Sequence, residues 1–392
     1  MSTKDTARFS VIAQKVRNEE PLTAEDGLFL YEYPDLLAVG ALANERREAL
    51  HGDDTFFNIN FHINPTNVCV ADCKFCSFAR LEPDAPAAYT MSVDEVVQKL
   101  RDRASQPVTE IHIVNGLHHD LDFDYYKDIL RGLKALRPDI HLKAYTAVEI
   151  HYFAEKFGLS YKQVLSELME AGLGSLPGGG AEIFAERARR KLCRGKAEAD
   201  EWLAVHRAAH ELGLRTNCTM LYGTVETLEE RIDHMMRLRD LQDETGGFQT
   251  FIPLAYHPEN NALGKLPGPT GVDDLRTYAV SRLMLHNIPH IKAYWVMIGV
   301  KTAQIALSFG VDDVDGTVQE EKIYHMAGAD TPQAMTRTSL VRLIREAGRR
   351  AVERDTLYGR VWEDDGEPLE GIRLDASVPY SGHKQRVKLH VI

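Results

Sequence analysis

The stretch Cys69-Val70-Ala71-Asp72-Cys73-Lys74-Phe75-Cys76 concentrates three of the five cysteines of the chain in the spacing C-x3-C-x2-C. Clustered thiolates bind zinc, copper(I) or iron–sulfur clusters. A structural zinc site needs four closed ligands, and the remaining cysteines, Cys193 and Cys218, lie far along the chain. A [4Fe–4S] cluster held by three cysteines leaves one iron open to a small molecule. We therefore predict a reactive cluster on this loop, with a zinc site or three unliganded buried cysteines as the alternatives.

This cysteine spacing, with the aromatic Phe75 directly before the third cysteine, resembles the radical S-adenosylmethionine (SAM) superfamily. The resemblance implies that Cys69, Cys73 and Cys76 hold a [4Fe–4S] cluster and that its open iron chelates SAM. It also implies an electron donor, such as flavodoxin or ferredoxin, because one electron cleaves SAM to methionine and a 5′-deoxyadenosyl radical. Phe75 is then expected near the adenine of SAM, or as a shield between the cluster and water.

Charge and composition restrict the partners and the compartment of the 392-residue chain. Its net charge of −12 argues against nucleic-acid and anionic-membrane partners, which require basic patches. The N-terminal residues lack the apolar core of a signal peptide, and no apolar run reaches the ~18 residues that span a bilayer. An odd number of cysteines fits a reducing compartment. We expect a cytoplasmic protein that acts on a small molecule.

Apolar runs alternate with helical patterns after an N-terminal helical layer. The runs that we interpret as strands span residues 56–63, 110–114, 141–146, 174–176, 215–221, 248–254, 291–297 and 311–314. Strands separated by helices pair in parallel through right-handed crossovers, so eight units predict an α/β fold with a closed (β/α)8 TIM-type barrel. A six-stranded partial barrel is the alternative.

Three regions follow from this pattern. We predict an N-terminal helical layer over 1–54, a radical SAM (β/α) barrel over 55–320, and a C-terminal extension over 321–392. Within the extension, residues 339–353 read as an amphipathic helix, and the charged tail 362–392 reads as β-rich or loosely held.

Active sites of such barrels lie at the C-terminal ends of the strands, where the cysteine loop follows the first strand. Asn115-Gly116 occupies the place of the Gly-Gly-Glu-like turn whose carbonyls bind the SAM ammonium group in the superfamily. The chain departs from that turn, because Asn115 replaces its first glycine and Leu117 its glutamate. Glu149 follows the third strand and is expected either to accept the ribose hydroxyls of SAM or to be a charge that favours a helix start.

Polar side chains at other strand ends are candidate contacts for a substrate. We nominate His62, Asn217, His257 and Asn260. For the histidines, simple solvation is the competing interpretation. Cys193 and Cys218 are expected to be small buried residues.

Further motifs carry a closer resemblance. They span residues 62–68, 146–150, 176–184, 220–223, 242–249, 251–255 and 291–295. Together they resemble the radical SAM enzymes of the futalosine route to menaquinone, most of all the aminofutalosine synthases, over residues 20–358. Several are shared with the cyclic dehypoxanthinyl futalosine synthases and the deazaflavin-forming synthases.

The resemblance implies that the 5′-deoxyadenosyl radical adds to the alkene of 3-[(1-carboxyvinyl)oxy]benzoate. Aryl migration and loss of the vinyl carboxylate as bicarbonate then give 6-amino-6-deoxyfutalosine. The alternative is a cyclase that abstracts hydrogen and releases 5′-deoxyadenosine. A non-catalytic iron–sulfur or zinc protein would need a fourth protein ligand, and the sequence near the triplet offers none.

Overall fold

Parallel strands and the helices between them make up the centre of the chain. The computed structural model describes residues 3–367. The strands are β1 (Asp54–Asn58), β2 (Asn60–Ile63), β3 (Asp72–Cys73), β4 (Glu110–Ile113), β5 (His141–Ala144), β6 (Ser175–Leu176), β7 (Cys193–Arg194), β8 (Arg215–Tyr222), β9 (Phe248–Ala255), β10 (His290–Ile291), β11 (Asp313–Gly316), β12 (Arg350–Arg354) and β13 (Arg360–Glu363).

Helices precede the first strand and cover the outside of the sheet. They are α1 (Thr3–Arg17), α2 (Ala24–Glu32), α3 (Leu36–His51), α4 (Val93–Arg101), α5 (Phe123–Leu136), α6 (Ala147–Phe157), α7 (Tyr161–Ala171), α8 (Glu186–Leu192), α9 (Ala199–Glu211), α10 (Leu228–Thr245), α11 (Gly271–Met284), α12 (Trp295–Ile298), α13 (Val300–Ala306), α14 (Ile323–Met326) and α15 (Arg337–Glu346). Within residues 3–367, no helix combines the length and apolarity needed to cross a membrane.

Seven parallel strands form the main sheet, in the order β10-β9-β8-β6-β5-β4-β2. Strand β11 contacts one edge of this sheet through a single bridge, Lys292 to Asp313, and the segment that follows β11 contacts the other edge through the bridge from Phe61 to Gln319. The strands are buried on both faces, as expected where helices cover the outside. The α/β barrel with N-terminal helices and a C-terminal extension is confirmed. Its continuous sheet contains seven strands rather than eight.

Three predicted elements are wrong in detail. The first predicted strand is two strands: β1 lies between β11 and β12 in a second sheet, and only β2 enters the main sheet. The seventh strand ends at Ile291, and α12 begins at Trp295. The helix predicted over 339–353 ends at Glu346, and the chain turns at Gly348, whose φ of +72° suits glycine, into β12.

The C-terminal extension is structurally tied to the start of the barrel region. Strand β12 pairs in parallel with β1, and β13 pairs with β12 in antiparallel fashion. The predicted tail is therefore β-structured through β13, while its part from residue 368 lies outside the described residues. The predicted boundaries at 54 and 320 stay predictions, although the pairing of β12 with β1 joins the start of the barrel region to the C-terminal extension.

One buried ion pair joins the extension to the barrel. Arg354 Nε of β12 lies 2.6 Å from Asp313 Oδ2 of β11, and both side chains are at most 1% exposed. The Tyr358 hydroxyl donates to the same carboxylate oxygen at 2.8 Å. An isolated charge in this place is unfavourable, because the protein interior solvates it poorly.

Removing one partner of this pair leaves the other charge buried. We expect Arg354→Met to lower the free energy of unfolding by about 3–5 kcal/mol, measured by urea denaturation. The matched control is Arg350→Met in the same strand: Arg350 pairs with Asp54 but is 46% exposed, so a loss below about 1 kcal/mol is expected. Equal losses in the two variants would contradict the structural role of the pair.

Candidate functional site

The cysteine loop follows β2 and is fixed to the rim of the barrel by backbone hydrogen bonds. Strand β3 within the loop pairs with β7, and the ladder sets Cys73 directly opposite Cys193. Lys74 N donates to Leu192 O at 2.7 Å, and Cys69 N donates to Arg80 O at 2.8 Å. These bonds hold an otherwise irregular segment in one conformation. The three cysteines of the motif are half-buried and line one cavity at the C-terminal end of the sheet.

The donor set fits a metal cluster. Burial raises the pKa of the Cys69 and Cys73 thiols, so both are protonated until a metal displaces the proton. Cys193 is buried, as expected, and although it lies far from the triplet along the chain, strand pairing brings it beside Cys73. Cys193 is not among the residues that line the cavity. The three motif cysteines therefore remain the ligands that face the open space.

The turn after β4 and the start of α6 form a second part of the rim. Asn115 donates to Glu149 Oε1 from its backbone N at 3.0 Å and from Nδ2 at 3.1 Å. Thr146 donates to Glu149 Oε2 from N at 2.7 Å and from Oγ1 at 2.8 Å. Glu149 is thus a helix-capping residue and, at the same time, a lining residue of the cavity. Burial raises the pKa of Glu149 to about 7, while these hydrogen bonds oppose the rise.

The turn at Gly116 packs directly on the cysteine loop. Gly116 N donates to Thr66 O at 2.9 Å, and a Cβ at this position would overlap the Val68 carbonyl oxygen. Only glycine permits this approach, since any side chain would push the two rim segments apart. The Oδ1 atom of Asn115 is buried and has no hydrogen-bond partner among the described residues.

Sequence reasoning missed an ion pair next to the cysteines. Lys196 Nζ is hydrogen-bonded to Glu182, and both side chains are at most 10% exposed. The same ammonium lies 5.6 Å from the centroid of the Phe75 ring. Although burial works against it, Glu182 raises the pKa of Lys196, which keeps the ammonium charged. The only signal was the triple glycine at 178–180, which places Glu182 in the following loop with a φ of +48°.

It also missed charged side chains inside the barrel. Lys143 Nζ lies 2.7 Å from Glu110 Oε2, and Lys292 Nζ lies 3.5 Å from Asp315 Oδ1. Lys143 and the neighbouring cations hold the pKa of Glu110 well below its ordinary value despite burial, so this pair is ionised. The signal in the sequence was Glu110-Ile111-His112, a strand that alternates charged and apolar residues although both of its faces are covered.

The remaining predicted residues are divided between the cavity and its outer side. Phe75, His62 and Asn217 line the cavity. His257 is not among the lining residues, and its Nε2 is hydrogen-bonded to Met297 O at 2.8 Å. Asn260 lies in a groove on the outer side of the cysteine loop, where its Nδ2 donates to Met326 O at 3.1 Å. Substrate binding by His257 and Asn260 stays a prediction that this placement does not support.

Comparisons with known proteins agree with this geometry. A model of the radical SAM superfamily matches residues 63–238, and a model of the CofH/MqnC C-terminal region matches residues 245–365. The solved structure of methylornithine synthase superposes with a TM-score of 0.68 at 16% identity, covering 86% of this chain and 96% of that one. At this identity, the structural likeness establishes the fold alone.

Two curated relatives are much closer in sequence. The aminodeoxyfutalosine synthase of Thermus thermophilus is 51% identical over 91% of this chain and 97% of its own length. The one of Streptomyces coelicolor is 49% identical over 91% of this chain and 94% of its own length. Membership in the superfamily implies a [4Fe–4S] cluster and SAM, for which the three cysteines are present. The resemblance predicted from the sequence motifs is confirmed, and the chain belongs to the aminodeoxyfutalosine synthase family of radical SAM enzymes.

Proposed function

We propose that this protein makes 6-amino-6-deoxyfutalosine for menaquinone synthesis, using SAM and 3-[(1-carboxyvinyl)oxy]benzoate and releasing methionine and bicarbonate. The single observation that carries the proposal is that the three cysteines, the Asn115-Gly116 turn and the charged barrel interior all line one cavity. Such a cavity brings a SAM site and a site for an anionic substrate within reach of each other. The family relationship supports the choice of reaction.

The cysteines supply the entry point for an electron. Cys69, Cys73 and Cys76 would hold the [4Fe–4S] cluster, which would supply the electron for cleavage of SAM to methionine and the 5′-deoxyadenosyl radical. The electron comes from a small donor such as flavodoxin or ferredoxin. A cluster with an open iron is sensitive to oxygen, which favours a cytoplasmic location.

The rim residues orient SAM. The partnerless Asn115 Oδ1 and the carbonyls of the Asn115-Gly116 turn are acceptors for the ammonium group of its methionine part. Lys196, the ammonium beside Cys73 and Phe75, is the cation available to the carboxylate of the same part. Glu149 fixes Asn115 through two hydrogen bonds, and because its two oxygens already accept four hydrogen bonds it acts as a positioning residue and a helix cap. Phe75 would lie beside the adenine.

The walls between the rim and the interior protect the radical. A primary carbon radical attacks whatever it meets, so the cavity has to exclude water and hold the alkene in attack geometry. Apolar side chains line this region: Phe78, Val114, Leu117, Ile252, Leu254 and Ile323. His62 and Asn217 offer polar contacts to the substrate from the opposite strands β2 and β8.

The second candidate is a cyclase that abstracts hydrogen from a futalosine derivative. The observation that favours this candidate is the match of residues 245–365 to a C-terminal region model named for CofH and MqnC. The fate of SAM separates the two reactions. Addition places the adenosyl group in the product, whereas abstraction releases it as 5′-deoxyadenosine.

The first test is anaerobic turnover. After reconstitution and reduction of the cluster, SAM and 3-[(1-carboxyvinyl)oxy]benzoate should give an adduct that contains the adenosyl group, detected by mass spectrometry. Cys73→Ala should give none, because the cluster loses a ligand. Release of 5′-deoxyadenosine without an adduct would contradict the assigned reaction and favour the cyclase.

The ladder between β3 and β7 supplies a matched control for the ligand assignment. We expect Cys193→Ser to retain the iron content and the near-400-nm absorbance of the reconstituted wild type, since Cys193 does not face the cavity. Cys73→Ser, a change of the same kind directly across the ladder, should lose most of both. A comparable loss in the two variants would make Cys193 a fourth ligand and contradict an open iron.

The close contact at Gly116 predicts that SAM binding depends on this glycine. Gly116→Ala should weaken SAM binding to the reconstituted protein by about 5- to 150-fold, as overpacking of about 1–3 kcal/mol moves the turn away from Val68. Equilibrium dialysis with labelled SAM measures the change. Gly271→Ala is the control, because a Cβ there meets nothing within 4 Å. Unchanged SAM affinity in Gly116→Ala would show that the turn does not position SAM.

A further inference from the structure

The layer of side chains directly below the rim is charged rather than aliphatic. Strand register sets His62 of β2 beside His112 of β4, and His112 beside Lys143 of β5. Barrel interiors are ordinarily filled by branched apolar side chains. The polar layer here faces the same cavity as the cysteines. It therefore needs an explanation beyond packing.

The two lysines of this interior differ in how well the protein satisfies them. Lys143 has a close carboxylate partner, Glu110, at 2.7 Å. Lys292 is 2% exposed, and its nearest carboxylate oxygen, Asp315 Oδ1, is 3.5 Å away and already accepts from Asn60 Nδ2 at 3.0 Å. An ammonium has three donors, and leaving them poorly paired inside a protein is unfavourable. Lys292 is thus a buried cation that has room for another anionic oxygen.

The two histidines show the same lack of acceptors. Their rings meet edge to face with centroids 4.5 Å apart. The Nε2 atoms of both rings are buried and bond to no atom of the described chain, and His62 is only 8% exposed. Burial lowers the pKa of both, so they are neutral imidazoles with one N–H each, and in the tautomer protonated at Nε2 that N–H has no acceptor in the described chain.

Charged groups surround this histidine pair on several sides. The charged groups whose electrostatic interaction shifts the pKa of His62 or His112 are Glu110 on β4, Lys143 on β5, Lys292 after β10, Asp315 on β11 and Glu321 before α14. The carboxylates among them already have partners: Lys143 for Glu110, Asn60 for Asp315 and His325 for Glu321. The unused donors therefore belong to the two histidines and Lys292, and all three point to an anion that comes from outside the chain.

We propose that Lys292, Lys143 and the Nε2 atoms of His62 and His112 form a binding site for the ring carboxylate of an aryl carboxylate substrate. The inference rests on the function proposed above. The alkene of that substrate must lie near the cysteines at the rim, so its remote carboxylate points down into the barrel. The ring lies between the two, against the apolar walls formed by Val114 and Ile252. The ring carboxylate takes no part in bond making, and its role is to set the depth at which the alkene lies.

Binding without turnover tests this site. The holoenzyme is loaded with SAM and kept oxidised, so that SAM is not cleaved. It is then titrated calorimetrically with 3-[(1-carboxyvinyl)oxy]benzoate and with 2-phenoxyacrylate, which lacks only the ring carboxylate. The wild type should prefer the dicarboxylate by at least about 10- to 100-fold, the range of a hydrogen-bonded charge.

Lys292→Met should reduce this preference to within about threefold, while the affinity for 2-phenoxyacrylate changes little. Lys292 is the first choice because its loose pairing makes its removal the least disruptive to folding. His112→Gln is the second variant and should reduce the preference in the same direction. The control is Lys127→Met, which removes a lysine paired with Asp124 and Glu167 on α5 and α7, and should leave the preference as in the wild type.

The outcomes separate this inference from the proposed function. A preference that persists in folded, cluster-loaded Lys292→Met and His112→Gln would overturn the site, and adduct formation by the wild type would still support the function. A wild type that binds both compounds equally would also overturn the site. If the wild type binds neither compound and forms no adduct, both proposals are wrong.

Discussion

The parallel register of the main sheet is the constraint on which the whole site depends. Because all seven strands run in one direction, the segments that follow them meet at one edge. The cysteine loop after β2, the turn after β4, the start of α6 after β5 and the glycine turn after β6 therefore surround one cavity although they are far apart in the chain. Gly116 makes the tightest of these contacts, since its missing side chain lets the turn lie against the carbonyl of Val68.

The second constraint is the burial of charge. The barrel interior contains ionised Lys143 and Glu110. The extension adds Arg354, whose positive charge helps to lower the pKa of Glu110. Arg354 in turn pairs with Asp313 on β11, which contacts one edge of the main sheet through the bridge to Lys292. The C-terminal extension is thus part of the electrostatic framework of the barrel. Its loss would leave carboxylates in the interior without compensation, which links the stability of the fold to the charges of the site.

Much of the fold was predictable because its determinants are local. Apolar runs, capping residues and the cysteine spacing are visible within a few residues, and they indicated the barrel, its helices and the rim loop. The errors arose where pairing between strands that are far apart in the sequence decides the structure. Nothing near residues 54–63 indicates that β1 leaves the barrel to pair with β12, almost 300 residues later. In the same way, only the ladder between β3 and β7 brings Cys193 beside Cys73.

The site was predictable at the rim and not in the interior, for a physical reason. The three cysteines for the cluster that the superfamily implies lie within eight residues, so the sequence displays them as a short motif. The interior residues are scattered over different strands and form no local motif. Seen alone, each resembles an ordinary polar residue of a strand or a partner in an ion pair. The role of Lys143 and Lys292 becomes visible only in the folded, seven-stranded sheet, whose curvature places both side chains in the lining of one cavity.

This division also explains how one architecture can serve different reactions. The rim contains the cysteines for the cofactor that superfamily membership implies, and a shared cofactor does not by itself select between addition to an alkene and abstraction of hydrogen. That choice depends on which carbon is held near the radical. A futalosine derivative and an aryl dicarboxylate differ most in charge. The ring carboxylate is common to both, because aryl migration retains it, so the loosely paired ammonium and the two imidazole nitrogens of the interior suit the aryl ring of either substrate. The close curated relatives are the ground for preferring the synthase.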